Sequence, residues 1–242
     1  MTKDATSASA RAKYRRGLTR GRIVERALEM AEREGLDAVS LRRIASELGV
    51  TSMALYRHVR DKNDLYAAML DALMVGVDFT AGIEQTMPWQ DQIRRLLRNG
   101  AEVLTTRPAI LPLQIAYGGP LTATIVGPLE SALSILLDAG FAPEDAVSLA
   151  RSSTILLAGL VFLSGAGQGG PIPDAQLEVG RRHSELTLLE LPDERYPVMR
   201  RHARLLAETF VSQGEGLLDQ TIDLLVAGLE AKLAQSRSDR RA

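Results

Sequence analysis

Apolar residues recur at helical spacing along almost the whole chain. Ile23, Ala27, Met30 and Ala31 fall at i, i+4, i+7 and i+8, one face of a helix. The pattern predicts a helix capped by Thr19, running to about Glu34 and stopped by Gly35. Ser40 caps a second, short helix that ends near Leu48 before Gly49, and Thr51 or Ser52 caps a third that runs to about Val59. After a turn at Arg60 and Asp61, Leu65, Met69, Leu73 and Val77 form the core stripe of a fourth helix over about 62–79. The periodic pattern breaks around Gln85–Pro88. It resumes as helices at about 89–105, 108–117, 120–139, 143–164, 175–190, 193–211 and 215–234, with a loop, GAGQGGPIPD, at 165–174. The tail from Gln235 is charged and predicted to fray. No set of alternating strands and no internal repeat is found, so the fold class is all-α.

Two short capped helices joined by Gly49-Val50-Thr51 have the layout of a helix-turn-helix, whose second helix enters a DNA major groove. Ile44, Ala45, Leu48, Val50, Leu55 and Val59 supply the inner, apolar side. Arg42, Ser52, Met53, Ala54, Tyr56, Arg57 and His58 are left facing out. An aromatic and apolar outer face is costly in water unless a partner covers it. A groove does so, because thymine methyls take apolar contacts, Arg pairs with guanine, and Tyr and His hold phosphates. Lys62 opens the next helix, where a cation and helix N–H groups meet a phosphate.

Charge sharpens this picture. The net charge is −1, yet residues 1–62 hold 14 Lys and Arg against 8 Asp and Glu, and six basic residues fall between Arg11 and Arg22 with no acid among them. A basic head on an acidic body points to an anionic partner. The opening stretch has no apolar core of a secretory signal, and no run approaches the roughly 20 apolar residues of a membrane helix. With no cysteine at all, the chain suits a reducing, cytoplasmic setting. An enzyme is not expected. No carboxylate or nucleophile is placed beside His58. GAGQGG follows a helix and lacks the Lys-Ser/Thr of a phosphate loop, and His183 and His202 lie too far apart for a local zinc motif.

Residues 19–66, TRGRIVERALEMAEREGLDAVSLRRIASELGVTSMALYRHVRDKNDLY, resemble the DNA-binding domain of the TetR family of bacterial transcriptional regulators. LLDAGFAPEDA and GLLDQTIDLLVAGLEAKL are similar to parts of the C-terminal domain of its tetracycline-repressor-like branch. The organisation expected is a disordered basic arm at 1–17, a helix-turn-helix domain at 18–66, a helical effector-binding and dimerisation domain at 67–235, and a flexible tail at 236–242. The resemblance implies a homodimer on a palindromic double-stranded DNA operator. Arg42, Ser52, Met53, Ala54 and Arg57 would read bases, and Tyr56, His58 and Lys62 would hold the backbone, with Thr51 at the same face. Arg15 and Arg16 match the arm that reaches the minor groove in related proteins.

The resemblance also implies a small-molecule effector that releases DNA, and dimerisation through helices at about 143–164 and 215–234. Gln114, Tyr117 and Thr154 are the candidate polar groups of the pocket, with Leu113, Leu133, Leu136 and Leu157 as apolar wall. Such a wall favours a lipophilic effector. Tetracycline repressors hold a magnesium–drug complex with a histidine. No histidine lies between His58 and His183 here, so neither metal nor cofactor is expected. The competing reading is a ligand-sequestering helical protein with vestigial DNA binding.

Overall fold

The computed structural model describes residues 17–118, 122–163, 173–211 and 216–239. Every regular element among them is a helix: α1 Arg20–Glu34, a 3-10 turn at Leu36–Ala38, α2 Leu41–Glu47, α3 Ser52–Leu55, α4 Lys62–Leu73, α5 Trp89–Thr106, α6 Ile110–Tyr117, α7 Ala123–Asp138, α8 Pro143–Leu163, α9 Asp174–Leu189, α10 Pro197–Arg201, α11 Ala203–Val211 and α12 Leu217–Asp239. The basic arm with Arg15 and Arg16, and the glycine-rich stretch 165–170, lie outside the described residues.

The first four helices start where side-chain oxygens take backbone N–H groups. Thr19 accepts from Arg22, Ser40 from Arg43, Thr51 from Ala54 and Asp61 from Asp64. Their inner faces form one core with Ile23, Met30, Val39, Ile44, Leu55, Leu65, Met69 and Leu70 at its centre. This core does not stop at the fourth helix, for Ile110 and Leu113 of α6 are buried in it. A second core joins α5, α7, α8 and α12 around Leu96, Leu136, Ala146, Val226 and Leu229. Trp89 meets Phe141 edge to face at 5.5 Å in its outer layer. Along their shared flank, α5 and α12 are stapled by Gln90 to Glu230 at 2.8 Å, Arg94 to Asp223 at 2.9 Å and Arg98 to Asp219 at 2.8 Å.

Four element boundaries differ from expectation. The third helix closes at Leu55, not Val59, because the chain tightens into turns in which the N–H groups of His58 and Val59 both reach the Leu55 carbonyl. The fourth ends at Leu73, not near 79. Gly76 sits at φ 74°, a conformation no helix continues through, so Val77 leaves the stripe. The segment 193–211 breaks at His202 into α10 and α11. The last helix runs to Asp239 rather than fraying from Gln235. Arg237 donates to the Ala139 carbonyl at 3.1 Å and the Ser236 hydroxyl lies 3.5 Å from Asp145, so residues 236–239 belong to α12.

Helix α8 stands apart in composition. Its stretch Pro143–Phe162 has a mean hydropathy of 1.4, long and apolar enough by length and composition to cross a membrane, although no unbroken apolar run in it approaches that length. Ala146, Ala150 and Val161 are buried, whereas Ile155 is 61% exposed and Val147, Leu156 and Phe162 are also open.

Candidate DNA-binding face and effector cavity

The turn between α2 and α3 is built on Gly49, whose φ of 65° is the left-handed conformation that a side chain resists. The Val50 N–H then returns to the Ala45 carbonyl at 2.9 Å, and Ala45 is buried. This fixes which side of each helix faces out. Arg42, Thr51, Met53, Tyr56, Arg57 and Lys62 are exposed, and Ser52, Ala54 and His58 are half-buried at the edge of the same face. Met53, on the four-residue α3, is 74% exposed, a large apolar side chain standing in water. The Thr51 hydroxyl oxygen accepts the Ala54 N–H in the cap, which leaves its O–H hydrogen, its second lone pair and its methyl for a partner.

Among the described residues neither the Arg42 nor the Arg57 guanidinium makes a hydrogen bond or an ion pair, whereas neighbouring arginines are committed. Arg43 binds Glu34 at 2.7 Å, and Arg33 bridges Glu34 and Glu47. These partners, Arg43 first, hold the Glu34 carboxyl below its ordinary range. Two members of the basic cluster Arg11–Arg22 are also spent internally. Arg22 donates to the Gly17 carbonyl at 2.8 Å, and Arg20 grips Asp64 at 2.7 and 3.0 Å and the His58 carbonyl at 2.8 Å.

That last contact was not foreseen. Arg20 ties the end of the recognition segment to the starts of α1 and α4. The Asp64 carboxylate also takes the Arg60 N–H at 2.8 Å. The Arg20 hydrogen bonds pull the Asp64 carboxyl down to about 2, against burial, which pushes it up. Asp61-x-x-Asp64, an acidic cap followed three residues later by a second acid, was the available signal. The same pair changes the picture at Lys62. The Asp61 carboxylate already occupies a helix N–H, so the α4 start is less open to phosphate than its position suggests. The Lys62 ammonium lies 5.2 Å from the centre of the Tyr66 ring.

A cavity of about 90 Å³ lies between the two cores. Of the seven residues singled out beforehand, Gln114, Thr154 and Leu157 line it. Leu113 does not: it faces the first core, fully buried. Tyr117 packs against that core too, while Leu136 is buried in the second core and Leu133 packs against it. The helical period alone could not say which side of α6 and α7 met the core and which met the void. Leu96, Gly100, Ile110, Thr124 and Ser153 line the cavity and carried no sequence signal for it. Met74 and Phe79, which the chain delivers just beyond α4, complete the wall near the first core. Gln114 donates to the Thr124 hydroxyl at 2.8 Å.

Comparison with known proteins agrees with this geometry. The family model described as "Bacterial regulatory proteins, tetR family" matches residues 23–69. The chain is 29% identical to the HTH-type transcriptional repressor DrrR1 of Streptomyces coeruleorubidus, over 92% of this chain and 81% of that protein. It is 28% identical to the class A tetracycline repressor from transposon 1721 of Escherichia coli, over 64% of this chain and 74% of that one. Among solved structures, the Streptomyces coelicolor TetR family protein ActR in complex with actinorhodin superposes with a TM-score of 0.71 at 22% identity, over 89% and 98% of the two chains. The helix-turn-helix segment 23–69 thus matches the TetR family of bacterial transcriptional regulators, and the chain as a whole is similar to transcriptional repressors and shares the fold of TetR family proteins.

Proposed function

We propose that the protein is a homodimeric repressor that binds a palindromic DNA operator and releases it when a small lipophilic molecule enters the cavity. The observation that carries this reading is the outer face of α2 and α3. There the guanidinia of Arg42 and Arg57, without partners among the described residues, are exposed together with Met53 and Tyr56, over an inner face buried through Ile44, Ala45, Leu48 and Leu55. Such a face reads base edges and phosphates together.

Dimerisation is supported by the apolar surface that one protomer leaves open on α8 and α12. Ile155 is 61% and Leu224 76% exposed. A second copy is favoured over a lipid layer, because Arg151 stands midway along α8 and the helix packs against α5, α7 and α12. Release follows from shared residues. Met74 and Ile110 line the cavity and also pack with the first core, and the Arg107 guanidinium binds the Leu73 carbonyl, the end of α4, at 2.7 Å. A ligand that displaces this wall moves α4 and the spacing of the two reader faces. Couplings of this kind are worth about 1–3 kcal/mol and are reciprocal.

The test is selection of bound duplexes from a random library at physiological salt. A palindrome with half-sites roughly 34–36 Å apart, or a multiple, is the expected result. A folded dimer that enriches nothing overturns the reading in favour of a ligand-sequestering protein.

A further inference from the structure

The cavity wall carries a directional hydrogen-bond pattern. Among the described residues that line it there is no Asp, Glu, Lys, Arg or His. Its hydroxyls are oriented by their own helix. Ser153 donates to the Leu149 carbonyl at 2.8 Å and Thr154 to the Ala150 carbonyl at 3.0 Å. A hydroxyl has one hydrogen, so both oxygens meet the cavity as acceptors. Gln114 gives one amide hydrogen to Thr124, whose hydroxyl is also engaged by Thr122, and keeps its second amide hydrogen as a donor and its carbonyl oxygen as an acceptor beside the two hydroxyl oxygens. Acceptors therefore outnumber donors along this polar strip.

We propose that the effector is an uncharged, mainly apolar molecule that donates hydrogen bonds, of the alcohol or phenol class, with Gln114, Ser153 and Thr154 reading its hydroxyls. The assignment rests on the reading of this cavity as the effector site. A carboxylate would bring acceptors to acceptors and bury a charge with no cation beside it. An ammonium would bury a charge with no carboxylate beside it. Both are costly in a low-dielectric wall. An ether or hydrocarbon of the same shape leaves the acceptors without partners.

The experiment is calorimetric titration of the full chain with three probes of one shape: 9-phenanthrol, its methyl ether and phenanthrene-9-carboxylate. The phenol is expected to bind about ten-fold tighter than the ether, and the carboxylate not to saturate. Gln114→Leu and Ser153→Ala are each expected to narrow the gap between phenol and ether to within about three-fold. If the ether or the carboxylate binds best, the effector site stands and this assignment of its chemistry falls. If none of the three binds, while a selected duplex is still bound, the cavity is not an effector site and the assignment falls with that reading.

Discussion

The Arg20 guanidinium spans two parts of the molecule, holding both Asp64 carboxylate oxygens at 2.7 and 3.0 Å and the His58 carbonyl at 2.8 Å. One side chain of α1 thereby fixes the last turn of the recognition segment against the first turn of α4. Asp64→Ala removes the acceptor of both Arg20 and the Arg60 N–H. It is expected to lower unfolding free energy by about 1–3 kcal/mol, read from urea denaturation at neutral pH. An unchanged midpoint would show that the contact contributes nothing.

The same pair sets a pH dependence. The Asp64 carboxyl is depressed from its ordinary value near 3.8 to about 2 in the folded chain. The stability it contributes is present above the ordinary value and is lost as pH falls through about 2. Allowing for the half-exposed Arg20, the contribution is about 1–2 kcal/mol. Asp64→Asn should flatten the acid limb of stability against pH in that window and leave the slope above pH 5 alone.

Arg57→Ala and Lys62→Ala should separate two kinds of DNA contact. Loss of the Arg57 guanidinium should cost about 1–3 kcal/mol on the selected operator and relax preference at one position per half-site. Loss of the Lys62 ammonium should weaken all duplexes alike and reduce the salt slope by about one contact. Binding titrations of selected and scrambled duplexes at several salt concentrations read both. Equal losses on every sequence for Arg57→Ala would remove it from base reading.

Ile155 on α8 and Leu224 on α12 are large apolar residues that one protomer leaves mostly exposed. Ile155→Asp and Leu224→Lys should therefore leave helix content unchanged and shift sedimentation from dimer to monomer. A dimer that survives both substitutions would place the interface elsewhere.

Gly100 sits buried inside α5, where a glycine costs roughly 1 kcal/mol against alanine. A Cβ there would stand 3.0 Å from a Leu157 methyl. Leu157 borders the cavity, so its methyl yields into empty space. Gly100→Ala should leave stability within about 1 kcal/mol of the parent, because helix propensity offsets the contact. It should weaken binding of 9-phenanthrol by narrowing the void. Calorimetric titration beside a denaturation curve checks both halves.

The sequence alone determined what local chemistry dictates. Thr19 and Ser40 cap the helices they were expected to cap, and Gly49 turns the chain between α2 and α3. Ile44, Leu48, Leu55 and Val59 go inward and Arg42, Met53, Tyr56 and Arg57 outward, because within a short capped helix the 3.6-residue period leaves one assignment of faces. Tertiary structure decided what depends on partners distant in the chain. Arg20 reads as one more member of the basic cluster Arg11–Arg22 until the fold brings Asp64 to it from 44 residues away. Leu113 and Gln114 are neighbours on an apolar helix, and nothing local distinguishes them. Packing against α4 turns Leu113 into the core, and the gap left between two cores makes a cavity wall of Gln114. A cavity is where packing fails to fill space, and that is set by several helices together.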